Sequence, residues 1–501
     1  MQSSRKRTVF LILLFSILGF AVMGYHPGIE DDGVYLAAVK SNVNPALFPH
    51  DAEFFRVQLQ ATFFDKLVAG FAQLTRIPIP WTELLWQFGS IVLIVFGCWS
   101  IARQLFREER ARWAGVALVT AMFTLPVAGT ALYLVDQHLH PRNVATAIIL
   151  LAISRILARR HWQAVPLLLV SFLIHPIMAA MGISFGFFLT LTTVERVQAW
   201  LRDRRARRLH GRGPVHAAAL ALVPLGWIFE PPTPIWRQAL ATRKYYFLYQ
   251  WAWYEWLGAI APLFLFWLLY RVAQRMGRTH LSRFALAVFA YGVFQQIVAM
   301  AMLGIPWLVR LTPLQPMRYL HLVYFFLTLV GGCLAGKYLL KASYWRWALF
   351  LLAINAGMFV PQRQLFSSSE HLELPGIASA NPWLQAFDWT RRNTPTDAYF
   401  ALDPNYLEAP GEDYHSFRAL AERSQLADAL KDTAVVTQVP ELGEVWKRQV
   451  AAQQGWKHFG LADFQRLKRE FGVDWVLVST PPPAGLDCRW HNQALAVCRV
   501  P

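Results

Sequence analysis

The chain has 501 residues, 55% of them hydrophobic and only 16% charged, with a mean hydropathy of +0.31, and a soluble protein of this length needs more polar surface than that. The formal charge of +17 is uneven: residues 361–501 carry 14 Lys and Arg against 17 Asp and Glu, so the basic excess belongs to the apolar first 360 residues. Nucleic acid is therefore not an expected partner, because the polar C-terminal part offers it no basic face.

Arg5, Lys6 and Arg7 precede an apolar run over residues 9–23 that lacks a small-x-small cleavage site. It reads as an uncleaved first span with a cytoplasmic N-terminus. Immediately after it comes Gly24-Tyr25-His26-Pro27-Gly28-Ile29-Glu30-Asp31-Asp32-Gly33. Three consecutive carboxylates raise one another's pKa, which suits a general base or a cation site; an acidic helix cap is the other reading. The outer loop 25–81 continues with interfacial helices, since Phe54, Phe55, Leu59, Phe63, Phe64 and Leu67 recur at helical intervals over residues 45–76.

Further spans are predicted near residues 83–102, 113–133, 143–158, 164–193, 215–229, 257–271, 284–304, 319–336 and 346–360. Each is helical because lipid leaves no other partner for the backbone. The 164–193 run is too long for one crossing and holds His175-Pro176 at its centre, so it divides into two helices, giving about eleven crossings. Lys and Arg concentrate in alternate loops, including a dense basic run between residues 196 and 212. That bias places the C-terminal region outside.

Polar chemistry collects at the outer ends of these spans. Asp136-Gln137-His138-Leu139-His140-Pro141-Arg142-Asn143 mixes both charge signs, without metal-specific spacing. Arg142 opens a helix, where a guanidinium and helix N–H groups together suit a phosphate. Arg310, Arg318 and His321 surround a proline-rich turn; Arg318 is either a phosphate ligand or a snorkelling anchor. The aromatic loop 230–256, with Arg243, Tyr245 and Tyr246, reads as an interfacial belt or a sugar-stacking surface.

From residue 361 onward the chain reads as a small α/β domain. Residues 383–393 look helical and 398–402 extended; Leu461–Phe471 is an amphipathic helix stopped by Gly472, and Trp475–Ser479 a strand. Cys98 and Cys333 sit in apolar spans as small buried residues, whereas Cys488 and Cys498 flank a hairpin that permits a disulfide in an oxidising compartment.

The many spans, the acidic first outer loop, the extended segment after it and the C-terminal extracytoplasmic domain together resemble the GT-C superfamily of membrane glycosyltransferases. Trp383-Leu384-Gln385-Ala386-Phe387-Asp388-Trp389-Thr390-Arg391-Arg392-Asn393-Thr394-Pro395 and Phe471-Gly472-Val473-Asp474-Trp475-Val476-Leu477-Val478 resemble tails of bacterial members with a periplasmic C-terminal domain. The resemblance implies a GT-C-like α-helical polytopic domain over 1–360, an extracytoplasmic α/β domain over 361–501, and residence in the bacterial inner membrane. It implies transfer of a sugar from a polyprenyl-phosphate carrier in the membrane lipid to a glycan, lipid or protein acceptor on the extracytoplasmic face. On this reading Asp31 or Asp32 is the base, with Glu30 third. Arg318 and Arg142 hold the phosphate, and His26, His140, His175 and His321 are further pocket groups. Some members hold a divalent metal ion on the acidic loop and others do not, so metal dependence stays open. A transporter or flippase of a lipid-linked or anionic solute, or a non-catalytic envelope assembly protein, remains the alternative. Charges at the outer boundary rather than at the midplane favour the enzyme.

Overall fold

A computed structural model describes residues 2–60, 62–193 and 231–501. The predicted span at 215–229 and the basic run before it lie outside the described residues. The first helix, α1 (Gln2–Met23), is followed by three shorter ones, α2 (Asp32–Val43), α3 (Glu53–Leu59) and α4 (Phe64–Thr75). Next come α5 (Ile79–Leu105) and α6 (Glu109–Ala121), a two-stranded ribbon of β1 (Pro126–Val127) and β2 (Leu132–Tyr133), then α7 (Pro141–Leu157), α8 (His161–Ile174) and α9 (Pro176–Thr193). From residue 231 onward, α10 (Pro234–Ala241) leads to α11 (Trp253–Arg275), α12 (Thr279–Gly304), α13 (Tyr319–Ala335) and α14 (Tyr344–Leu365).

Six helical segments among the described residues are long and apolar enough to cross a membrane: Arg5–Met23, Ile79–Leu105, Pro176–Thr193, Trp253–Arg275, Thr279–Gly304 and Pro316–Leu340. This is the architecture of a mostly helical membrane protein. The expected eleven crossings are not all of that kind. The span expected at 113–133 ends as a helix at Ala121, after which the chain enters the β1–β2 ribbon, with Pro126 opening β1 and Gly129 (φ +61°) in the turn between the strands. α7 is only 17 residues long, yet 13 of them are buried, because it packs between α5 and α8 inside the bundle. The expected break at His175-Pro176 is present, with α8 and α9 packed against each other across it.

α6 and α13 approach each other tightly. A Cβ added at Gly332 would lie 2.6 Å from the Ala114 carbonyl oxygen, and one at Gly336 would lie 2.4 Å from the Ala114 Cβ. Gly332 and Gly336 are four residues apart, the small-xxx-small spacing that lets membrane helices approach backbone to backbone.

α14 runs without interruption past Pro361 to Leu365 before the chain enters the C-terminal region. There α15 (Pro382–Asn393), β3 (Tyr399–Ala401), α16 (Phe417–Ala421), β4 (Ser424–Gln425), α17 (Lys431–Gln438), α18 (Gly443–Ala452), α19 (Leu461–Phe471), β5 (Trp475–Ser479), β6 (Asp487–His491) and β7 (Leu495–Arg499) follow in order. The sheet order is β4-β3-β5-β7-β6, parallel from β4 to β5 and antiparallel thereafter. Side chains alternate across it. Phe400, Leu477 and Val497 pack with Phe387 and Phe417 from α15 and α16, while Tyr399, Val476, Val478 and Ala496 pack with Phe464 and Leu467 from α19. Cys488 and Cys498 form a disulfide between β6 and β7.

This region docks on the loop that follows α1. Phe54, Phe55 and Leu59 were expected along the bilayer; they are instead buried against Val435, Val436 and Trp446 of α17 and α18. Arg418 on α16 is 1% exposed, and its guanidinium binds Asp51 (Nε–Oδ2 2.7 Å) and Asp432 (3.0 and 3.2 Å). Lys40 on α2 donates to the Ala419 carbonyl and to Glu422 at 2.7 and 2.8 Å.

Candidate functional site

A cavity of about 420 Å³ opens between the end of the loop after α1, the β1–β2 ribbon, the start of α7, the α8–α9 break, the turn before α13, and α17. Glu30, Asp31, His140, Arg142, His175 and Arg318 all line it. Six residues drawn from four distant stretches of sequence thus share one compartment.

α7 begins here because Pro141 at its first turn needs no N–H partner, and because His140 caps it. The His140 Nδ1 accepts the Arg142 backbone N–H at 2.9 Å. That bond leaves the proton on Nε2, which lies 3.4 Å from Asp31 Oδ2. Burial, then the neighbouring Arg142, hold His140 below its ordinary pKa, so it is neutral. Asp31 is 43% exposed, to the cavity rather than to open solvent. Burial alone would raise its pKa, but Lys431, whose Nζ is 3.6 Å away, and His140 and Arg142 together carry it well below the usual carboxylate range. It is ionised at neutral pH.

Asp32 does not line this cavity. It is 1% exposed, its Oδ2 accepts the Gly28 N–H at 2.8 Å, and burial together with the adjacent Glu83 carboxylate raises its pKa well above normal. His26 also points elsewhere: its Nδ1 lies 2.7 Å from Glu373 Oε1 and its ring stacks 4.0 Å from Phe366. His321 is fully buried, with Nε2 2.9 Å from the Leu134 carbonyl oxygen. All three hold the fold around the site.

The two arginines differ. Arg142 grips Asp136 in a fork (Nε–Oδ2 3.0 Å, Nη2–Oδ1 2.5 Å), and the pair holds Asp136 below its ordinary pKa despite burial. Arg318 donates from Nε to Gln315 Oε1 at 2.6 Å and has no carboxylate partner among the described residues. Of the two, Arg318 is the one whose guanidinium is not committed to a carboxylate.

Two lining residues, Lys431 and Tyr35, carry no signature in the sequence. Lys431, at the start of α17, ion-pairs with Glu30; it lies 401 positions away in the chain, and only the docking of the C-terminal region brings it near. Tyr35 joins Tyr245 and Tyr246 of the aromatic loop in the cavity wall, and Arg243 of that loop lines it too. His138 also faces the cavity, and neither of its ring nitrogens has a partner; burial lowers its pKa to about 3. For a divalent metal the fit is poor. The Lys431 ammonium takes the place between Glu30 and Asp31, and no group of three potential ligands forms among the described residues.

No family model and no curated protein matches the chain. Among solved structures it is similar to the archaeal oligosaccharyltransferase AglB from Archaeoglobus fulgidus, in complex with an inhibitory peptide and a dolichol-phosphate. The identity is 12% and the TM-score 0.35, over 95% of this chain and 70% of that one.

Proposed function

We propose that the protein is an integral membrane glycosyltransferase of the GT-C type. It transfers a sugar from a polyprenyl-phosphate carrier to an acceptor on the extracytoplasmic face of a bacterial inner membrane. The observation that carries this reading is a single cavity with an ionised carboxylate, Asp31, on one wall and an unpaired guanidinium, Arg318, on another.

In the reaction, the acceptor hydroxyl oxygen attacks the anomeric carbon while the bond from that carbon to the phosphate oxygen breaks. The electron pair leaves on the phosphate, where Arg318 neutralises it bidentately; the acceptor proton goes to Asp31. A carboxylate with so low a pKa is a poor base while Lys431 pairs with it. The donor phosphate competes with it for Lys431, and as that ammonium turns toward the phosphate, Asp31 regains basicity. Neutral His140 keeps the carboxylate oriented. Tyr245 and Tyr246 offer faces for the sugar ring, and Lys431 supplies the charge that a metal supplies elsewhere.

The test is mass spectrometry of lipid retained by the purified full-length protein. Wild type is expected to retain a polyprenyl-phosphate sugar, and Arg318→Gln to lose most of it while remaining folded. Retention of bulk phospholipid alone by the wild type would remove the proposal.

A further inference from the structure

The opposite end of the helix bundle carries a second cavity, of about 690 Å³, that the transfer chemistry does not use. The first cavity is built on the C-terminal side of α1 and the N-terminal side of α13. The second is built on the other ends of the same helices, from Arg7 on α1, the start of α6, and residues 336–341 after α13, closed by Trp347 of α14. It therefore lies at the far membrane boundary.

Its chemistry has two layers. Leu11, Phe15, Trp113 and Trp347 form apolar walls toward the bilayer side of the helix ends. Around the rim stand Arg7, Arg110, Lys337 and Lys341 against only Glu108 and Glu109. Both carboxylates are engaged: Glu108 ion-pairs with Lys337, and Glu109 lies 3.9 Å from Arg7 and accepts the Trp113 Nε1–H at 3.3 Å. Arg110 and Lys341 are exposed and have no carboxylate partner among the described residues. A single π-helical turn, Gly336–Leu340, widens the end of α13 at this point, and Lys341 after it takes a left-handed φ of +47°. π turns recur where helices make room for a function.

We propose that this cavity binds the head group of an anionic phospholipid, with the phosphate between Arg110 and Lys341 and the glycerol and upper acyl carbons against Trp113 and Trp347. Net positive charge over apolar walls at a membrane boundary fits that occupant and no neutral one. A soluble anion would share the phosphate chemistry but leave the aromatic walls unused.

The test compares phospholipid binding to the delipidated full-length protein by native mass spectrometry. Phosphatidylglycerol and phosphatidylcholine with identical acyl chains are the probes, and inorganic phosphate is the competitor. Wild type is expected to prefer phosphatidylglycerol. The double variant Arg110→Gln, Lys341→Gln is expected to lose roughly fivefold in that preference per side chain removed. The control Arg155→Gln, Arg160→Gln, in the last turn of α7 and the residue before α8, is expected to keep it. Equal binding of the two lipids by wild type, or an unchanged preference in the folded double variant, overturns the proposal. So does displacement by inorganic phosphate as effective as that by short-chain phosphatidylglycerol, which would make the occupant a soluble anion.

Discussion

Asp31 and Asp32 are neighbours in the chain, yet helical geometry turns one toward the cavity and the other into the protein, and their titration diverges accordingly. Asp31→Asn keeps the shape but removes the proton acceptor. Transfer is expected to fall by about a hundredfold or more, measured with purified protein and a synthetic lipid-linked donor. Asp32→Asn is expected to keep most activity, since an amide resembles the protonated carboxyl that burial enforces there. The sequence shows three consecutive carboxylates but not which of them face the cavity, because that depends on a single turn at Glu30 (φ +53°). A second residue-scale expectation concerns His415. It is fully buried 3.0 Å from both oxygens of Glu373, and despite burial those partners lift its pKa to about 10, while the same contacts lower that of Glu373. The raised histidine contributes stability that is complete below its ordinary 6.5 and lost as pH rises through about 10. The lowered glutamate contributes above its ordinary 4.5 and is lost as pH falls. Thermal unfolding of the full-length protein in detergent should therefore be most resistant near pH 5 to 6.5 and weaken steadily toward pH 10. His415→Gln should flatten that alkaline limb.

Among the elements, α6 and α13 test how much of the bundle rests on close approach. Gly332→Ile puts a branched side chain where a single Cβ already collides with backbone. The expected cost is about 1–3 kcal/mol or more of stability, read as a lowered thermal midpoint. Gly331→Ile, at a neighbouring position with open space around it, should cost little. Elements with strong local signals were legible in the sequence. α19 and β5 match residue for residue, and the α8–α9 break falls at His175 because proline cannot continue the preceding helix. α6 was not legible at its end. Its apolar run continues through Leu125 and Val127, and hydropathy alone does not register that Pro126 and Gly129 turn the backbone.

For the molecule as a whole, the docking of the C-terminal region matters most, and it was the least legible part. The composition change near residue 361 suggests two independent bodies, but Phe54 and Phe55 bury into α17 and α18, and Arg418 ties Asp51 to Asp432. Apolar periodicity over residues 45–76 fits a bilayer surface and a protein surface equally well, so the sequence could not choose between them. Arg418→Ala leaves two buried carboxylates without their cation, at an expected cost of about 3–5 kcal/mol. The measurable result is loss of folded protein from the membrane fraction. Residual folded material should have lost most transfer activity, because α17 carries Lys431 into the cavity.

The helices beneath the cavity are short: α6 has 13 residues, α7 17 and α8 14. At 1.5 Å per residue they rise only about 20 to 26 Å, against a hydrocarbon layer of about 30 Å. Columns that short stop several ångströms before a full crossing, so the charged floor of the hollow is drawn in toward the membrane boundary. On the proposed reading, a carrier lipid would reach those walls by moving sideways, its chain still lying among its neighbours.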